Sequence, residues 1–567
     1  MTIEQSAAEA VSTPPPALGA ATLCEAFQIT AAACPGAVAH RSLDDSVELT
    51  WAQYADRVRA IAAGLHALGI RRGDCVAILL VNRPEFNLVD SAAIHLGAAP
   101  FSLYNTLSVE QVAYQLQNSQ ARVVVTEPQY LDTVLAARGP DQEHIVLVEG
   151  SHPDAIGLHE LQAASHDGFD FEAAWRAVQP DDVLTVIYTS GTTGPPKGAQ
   201  LTHAGMMFEC RAVASVLPMT PGGRQLSYLP SAHIADRFLS HYYASMCFGA
   251  AITSVPDARQ IGAALAAVRP TAWGAVPRVW EKLKAGLEAA GVGDPHALTD
   301  EGRAAVRERL GLHEAQWLVS GAAPIPGEVL EYFLALGLPI CEVWGMSELS
   351  CVATIVPPHD IRIGTVGRPL PGVELRVLDD GELLVRAPLV MHGYRADPER
   401  TAEAVDADGW MHTGDVVEID PDGFVRIVDR KKELIINAAG KNMSPANIEQ
   451  QLKGSSPLIG QAICIGDRRP YNVALLVLDP DAAAAWAAAH GADPSLAALS
   501  ANPELRAEVA GAVDGANARL ARVEQIKRFT ILPNDWEPGG VELTPTMKLR
   551  RGPIAERYAA EIEALYA

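Results

Sequence analysis

No stretch of the sequence stays apolar for the roughly eighteen residues that a membrane-spanning helix needs, so none is expected. Basic residues are scarce: 44 Lys and Arg stand against 68 Asp and Glu, a net charge of −24. That balance disfavours nucleic acid as a partner and nonspecific adhesion to anionic membranes. An anionic ligand would have to rely on local donors: backbone N–H groups, a few lysines and arginines, or a metal ion. Peripheral membrane contact and a homodimer both stay open. The first twenty residues, "MTIEQSAAEAVSTPPPALGA", lack the basic and apolar segments of a secretory signal and read as a flexible leader over 1–20. Eight cysteines are present and none forms a Cys-x-x-Cys pair. This argues against a zinc ribbon or a disulfide framework, and for a reducing, cytoplasmic setting in which thiols act as small buried hydrophobes.

What is there is ordinary for a globular chain, with 49% hydrophobic and 20% charged residues. At 567 residues it is too long for a single core. "CVAILLV", "ARVVVTE" and "HIVLVEG" are continuous apolar runs separated by helix-like segments such as "PEFNLVDSAAIHLG", the pattern of sheets covered on both faces. After about residue 360, alternating strands meet at Asp-Gly and Pro-Asp-Gly turns, which signal antiparallel hairpins. A final mixed region holds "QAICIGD", "NVALLVLD", "IKRFTILP" and the Ala-rich helix "DAAAAWAAAHG". The expected fold is α/β: a large N-terminal domain of covered sheets with a β-rich subdomain over 21–429, then a smaller α+β C-terminal domain over 430–567.

The stretch "YTSGTTGPPKG" comes directly after the strand-like "DDVLTVIYTS". Its glycines permit tight turns with converging N–H groups, and its hydroxyls add donors, so a phosphate cradle competes with a plain flexible loop. A Walker loop needs Gly-x-x-x-x-Gly-Lys-Ser/Thr; here the second Gly and the Ser/Thr both fail, and no helix opens before Pro196. Other candidate groups stand in "YLPSAHI", "SGAAPI", "EVWGMSE", "WMHTGDVVEID", "VDRKKELI", "AAGKNMSPANIE" and "VELTPTMKLRRGPI". Read alone, each has a bland alternative: a structural histidine, a core tryptophan, an ion-paired acid, a solvated lysine turn.

Taken in this order, these segments resemble the adenylate-forming superfamily of acyl-CoA synthetases, luciferases and nonribosomal-peptide adenylation domains, from about residue 20 onward. The resemblance implies that Thr189, Ser190, Gly191, Thr192, Thr193, Gly194 and Lys197 line the triphosphate of ATP, with Thr192 among the catalytic groups. His233 would border the carboxylate and the α-phosphate. Gly321 and Ala322 would touch adenine, Trp344 would stack on it beside Gly345, Ser347 would contact phosphate and Glu348 would hold Mg²⁺. Asp415 and Arg430 would accept from and donate to the ribose diol. Asp415 is expected after a glycine at the start of a strand. Lys432 would be the hinge of a mobile C-terminal domain, Lys548 the catalytic lysine, and Gly440, Lys441 and Asn442 the border of the coenzyme A path.

The implied activity is ATP-dependent activation of a carboxylic acid through an acyl-AMP intermediate to its CoA thioester, with ATP, Mg²⁺ and coenzyme A taking part. "SYLPSAHIADRF" and "TAWGAVPRVWEKLKAGL" look like long-chain and very-long-chain synthetases, including the bubblegum type. Gly345 is expected to leave space where acetyl-type enzymes carry a blocking tryptophan. A fatty acid is the first choice; a steroid- or terpenoid-like acid is the second. Two rivals are an acyl-AMP ligase that loads a carrier protein and a noncatalytic lipid-binding or transport protein with a decayed nucleotide site. The post-hinge loop favours CoA over a carrier, and the intact Lys548, Glu348, Asp415 and Arg430 favour an enzyme.

Overall fold

The computed structural model describes residues 14–163, 168–189, 195–437, 442–544 and 547–567. Two compact units divide the chain: one takes most of it up to Met411, the other takes Arg376–Leu384 and His412–Ala567.

In the first unit, the valine-rich runs form a five-stranded parallel sheet. Its order is Ala99–Ser102, Cys75–Leu79, Val123–Thr126, His144–Leu147, Ile156–Gly157. Cys75–Leu79 and Val123–Thr126 are buried at every position, which is why they read as unbroken apolar runs. The expected helix forms over Pro84–His95, with its proline in the first turn where no N–H partner is needed. All of this helix except Glu85 is buried, including the polar Asn87, Asp90, Ser91 and His95.

A second sheet joins Ala272–Ala275, Trp317–Ser320 and Ile340–Trp344 in parallel, then adds Thr354–Ile355 and Arg368–Pro369 antiparallel. Trp273, Trp280 and Phe333 pack edge to face against one another in its core, at centroid distances of 4.7 and 5.1 Å. The carboxyl ends of its middle strands, Ser320 and Trp344, feed the "GAAPI" and "GMSE" loops. This is the edge of a parallel sheet at which ligands bind.

Val183–Thr189 pairs antiparallel with Lys197–Thr202, with Thr189 opposite Lys197. The segment after Pro196 is therefore a strand, and a helix begins only at His203. Residues 16–20 of the expected leader instead form a packed turn, with Ala17, Leu18 and Ala20 buried and the carbonyls of Leu18 and Ala20 near Arg211. Residues 1–13 lie outside the described set.

From His412 onward the hairpin Met411–Ile419 and Val425–Arg430 lies in the second unit. Its three-stranded sheet, Ile459–Ile465, Asn472–Leu478 and Ile526–Ile531, has two covered faces. Ala462 and Cys464 face one apolar cluster with Leu452 and Val509; Ile463 faces another with Trp536 and Ile562. All eight cysteines are free thiols, six of them buried.

Several histidines of the first unit are fully buried. Burial lowers His95 to about 4 and His203 to about 3, although a contact with the Ser91 carbonyl favours the charged form of His95. His95 Nδ1 donates to Ser91 O at 2.6 Å and Nε2 accepts from Gln28 at 3.0 Å, which fixes one neutral tautomer. The unfolded chain binds a proton near the ordinary value of 6.5, whereas folded His95 does so only near 4, so its contribution is lost as pH falls through that window. Asp236 works oppositely: burial raises it to about 7, and its contribution is lost as pH rises toward that value. Comparing His95→Gln with the parent isolates the histidine. The variant's urea-unfolding free energy should fall less steeply between pH 6.5 and 4, by about 1.4 kcal/mol per pH unit.

Candidate active site

In the first unit four side chains meet at the base of the hairpin loop. Thr189 and Lys197 are cross-strand partners where the loop leaves and returns. Gly393–Tyr394 adds a third strand beside Lys197–Thr202, with Tyr394 opposite Ala199. The Tyr394 hydroxyl donates to Glu348 Oε1 at 2.9 Å, and the Thr189 hydroxyl approaches the same oxygen at 3.5 Å. Lys197 Nζ sits over the Tyr394 ring, 4.7 Å from its centroid. Burial, with the Glu348 carboxylate beside it, pushes the Tyr394 phenol well above its ordinary value, so it remains a donor.

Glu348 is 6% exposed and sits in the short turn Ser347–Leu349 that comes after Trp344 and Gly345. Its own carbonyl accepts Met391 N at 2.8 Å, so main chain and side chain are both tied to the Gly393–Tyr394 segment. A buried carboxylate beside a hydroxyl is a hard-oxygen donor set that fits Mg²⁺, which binds through few carboxylates and completes its shell with phosphate oxygens and water.

Sequence reasoning passed over Tyr394. The available signal was "HGYR", an aromatic between a glycine and a basic residue on an otherwise polar run. It also passed over strain: Ala322 and Ser350 hold left-handed backbone, with φ of 69° and 60°, beside Gly321 and Glu348. Such conformations cluster where a loop is held for a ligand.

Trp344 ends its strand, 9% exposed. Gly345 has a local cause: a Cβ there would come within 2.0 Å of the Cys351 carbonyl oxygen. The glycine is demanded by main-chain packing, so its lack of a side chain is by itself no measure of room for an acyl group.

His233 caps the turn Ile234–Asp236; its Nδ1 accepts Ala235 N at 3.1 Å, which leaves the proton on Nε2. A π-helical segment continues from it over Arg237–Cys247, a geometry often found at functional sites. Its first residue anchors the turn: Arg237, 0% exposed, donates to Ser231 O at 3.1 Å, to Ser102 Oγ at 2.9 Å and to Asp90. Asp90 also accepts from His241 and Tyr242. Burial opposes ionisation of Asp90, and Arg237 and His241 together more than offset that, leaving its carboxyl below the usual range. Asp236 accepts from Ser227 Oγ at 2.9 Å and from Asn82 Nδ2 at 3.4 Å.

In the second unit, Asp415 and Arg430 are directly opposite one another across the hairpin. Arg430 Nε donates to Asp415 Oδ1 at 2.6 Å, and Asp415 is 2% exposed. Asp415 lies in the middle of Met411–Ile419, not at the start of the strand as expected. Lys431, exposed on the turn, is ion-paired with Asp380 and Glu382 at 2.6 and 2.8 Å. Lys432 and Lys548 are exposed. Asn442 pairs with Ile436 in a two-residue ladder. Ser190, Gly191, Thr192, Thr193, Gly194, Gly440 and Lys441 lie outside the described residues.

This arrangement, parallel sheets presenting loops at their carboxyl edges and then a separate α+β unit, is the fold of acid-activating ligases. The anthranilate CoA ligase AuaEII, solved with anthranoyl-AMP, superposes with a TM-score of 0.77 at 20% identity, covering 96% of this chain and 98% of that one. The chain belongs to the AMP-binding enzyme family: it matches that family over residues 27–395 and the AMP-binding enzyme C-terminal domain over 432–567. It is 55% identical to FadD11 of Mycobacterium tuberculosis, which carries the provisional name of a fatty-acid–CoA ligase, over 73% of this chain and 79% of that one. It is 36% identical to the long-chain-fatty-acid–CoA ligase FadD15 of the same organism, over 94% of this chain and 95% of that one.

The buried network behind His233 makes a test of its own. Asp90→Ala would leave the Arg237 cation buried without its counter-charge, and should lower unfolding stability by about 3–5 kcal/mol, read by urea denaturation.

Proposed function

We propose that this protein is an ATP-dependent acyl-CoA synthetase acting on long-chain fatty acids. The observation that carries the reading is the Glu348–Tyr394–Lys197 cluster at the base of the Gly/Thr hairpin loop, which sets an acid and a cation beside a loop suited to phosphate. Membership of the AMP-binding enzyme family supports it, and so do the activities for which FadD15 and AuaEII are named.

In the first half-reaction, a carboxylate oxygen of the acid attacks the α-phosphorus of ATP. The bond from that phosphorus to the bridging oxygen breaks, and pyrophosphate departs with the electron pair. Two anions must meet, so placing positive charge and donors is the main catalytic task. Residues 189–194 and Lys197 hold the triphosphate, and Glu348 holds the magnesium ion, which neutralises phosphate charge when bound. Trp344 supplies a flat apolar face for adenine beside Gly321 and Ala322, and Ser347 faces phosphate. Asp415 and Arg430 offer a cis-diol one acceptor and one donor. His233, its Nε2 proton set by the contact at Nδ1, donates toward the carboxylate and α-phosphate. Lys548 bridges the same oxygens as a mobile charge.

In the second half-reaction the CoA sulfur attacks the acyl carbon, the thiol proton passes to solvent, and the bond from the acyl carbon to the AMP oxygen breaks, AMP leaving with the electron pair. A swing about Lys432 withdraws Lys548 and brings Gly440, Lys441 and Asn442 to the CoA path. The long-chain preference is supported by the likeness to FadD15, not by Gly345. The post-hinge loop supports CoA over a carrier protein, and the reducing-thiol composition supports a cytoplasmic location.

Pyrophosphate release measured with ATP, Mg²⁺ and an acid panel from acetate to palmitate, with bile-type acids included, tests the reading. Release should be fastest with the long chains and depend on added acid; no release with any acid would overturn it. Lys548→Ala should cut acid-dependent pyrophosphate release by about 10²–10³-fold while sparing thioester formation from supplied palmitoyl-adenylate. Equal loss in both assays would contradict the two-step use of one site.

A further inference from the structure

In the second unit, three functional segments converge on one arginine. Arg551 Nη1 and Nη2 donate to Glu449 Oε1 and Oε2 at 2.6 and 2.8 Å, and its Nε donates to Glu433 Oε2 at 3.0 Å. The planar fork thus grips one carboxylate at two points and reaches a second, which a lysine could not do. Glu449, 6% exposed, lies in the helix Pro445–Lys453 and also accepts Cys464 N from the sheet at 2.8 Å. Glu433 stands one residue beyond Lys432, in a turn closed by Glu433 N and Leu434 N on the Arg430 carbonyl at 2.9 and 3.1 Å.

Arg551 opens a helix only three residues after Lys548. The chain between Glu542 and Arg550 doubles back: Arg550 N donates to Glu542 O at 2.7 Å, Thr544 N to Lys548 O at 2.8 Å, and Lys548 N to the Thr544 hydroxyl at 3.0 Å. Met547 holds a left-handed φ of 66°, a conformation that persists only where its surroundings impose it. The Glu449 contact already compensates the arginine's charge. The added arm to Glu433, with both side chains 23% exposed, brings little stability by itself. What that arm does determine is the spacing between the Lys548 reversal and the turn beyond Lys432.

We propose that Arg551 is a positioning residue for Lys548: its two carboxylate contacts lock the reversal carrying Lys548 to the turn beyond Lys432, so that lysine and turn travel as one body. The inference rests on the reading of Lys548 as the adenylating lysine. Its value is geometric, because a long side chain on an exposed reversal delivers its charge to one place only if the base of the reversal is fixed.

The test uses the full-length chain with Arg551→Met and Glu433→Ala, the second leaving the buried Glu449 pair intact should the first fail to fold. Amide hydrogen exchange over residues 542–551 should speed up in both. Acid-dependent pyrophosphate release should lose kcat, about tenfold for Arg551→Met and less for Glu433→Ala, with KM for ATP and thioester formation from palmitoyl-adenylate held within about twofold. Arg551→Lys should restore only part of the loss. Unchanged exchange in the variants, or equal loss in both half-reactions, would overturn the proposal. If the parent protein releases no pyrophosphate with any acid, the functional reading falls, while the exchange data still decide whether Arg551 is the lock.

Discussion

Glu348 is a carboxylate out of contact with bulk water, and such a group must be given donors or it will not stay where it is. Tyr394 supplies one at 2.9 Å, and the rest of the site depends on that contact. It joins the turn after Trp344 to the third strand of the hairpin sheet and, through the same ring, to Lys197. Three segments distant in sequence are thereby brought together beside Thr189 and Lys197. In a chain of net charge −24, Lys197 is held in place by its contact with the Tyr394 ring.

A similar logic holds behind His233. Arg237 and Asp90, each 0% exposed, form an ion pair whose burial is costly unless every remaining donor and acceptor is used. Here Ser102, Ser231, Tyr242 and His241 use them. Such a network adds little net stability compared with apolar packing, but it permits few alternative arrangements. It fixes the turn that His233 caps, and so fixes which imidazole nitrogen bears the proton. In the second unit, Arg551 plays the corresponding part for Lys548 by joining two carboxylates from separate elements.

Much of the fold was legible because burial on both faces leaves a plain mark: "CVAIL" and "VVVT" are apolar almost throughout, and both are interior parallel strands. The hairpin "GDVVEIDPDGFVRIVDR" was legible from its turn residues; that its register sets Asp415 opposite Arg430 was shown only by the structure. Where Asp415 falls within its strand was not legible either, because strand ends depend on partners. Tyr394 was missed because the local signal in "HGYR", an aromatic between a glycine and a basic residue, does not say what the ring would meet. Its meaning arises only from Glu348, 46 residues earlier in the chain. Gly345 shows a related ambiguity: a glycine can mark room for a ligand or the close passage of another backbone, and the structure supplies the second cause in the Cys351 carbonyl.

The sequence by itself determined the chemistry available: a Gly/Thr loop that departs from the Walker spacing, one acid after an aromatic-glycine pair, an Asp and an Arg in a hairpin region, and two well-separated lysines. Those are matters of residue type and spacing along the chain, and spacing survives in one dimension. Only the tertiary structure decided which groups stand within hydrogen-bond reach of one another. It placed Tyr394 between Lys197 and Glu348, buried Arg237 against Asp90, and bound Arg551 to Glu433 and Glu449. Such contacts join segments from tens to more than a hundred residues apart, and their formation depends on how helices and sheets pack rather than on any local pattern.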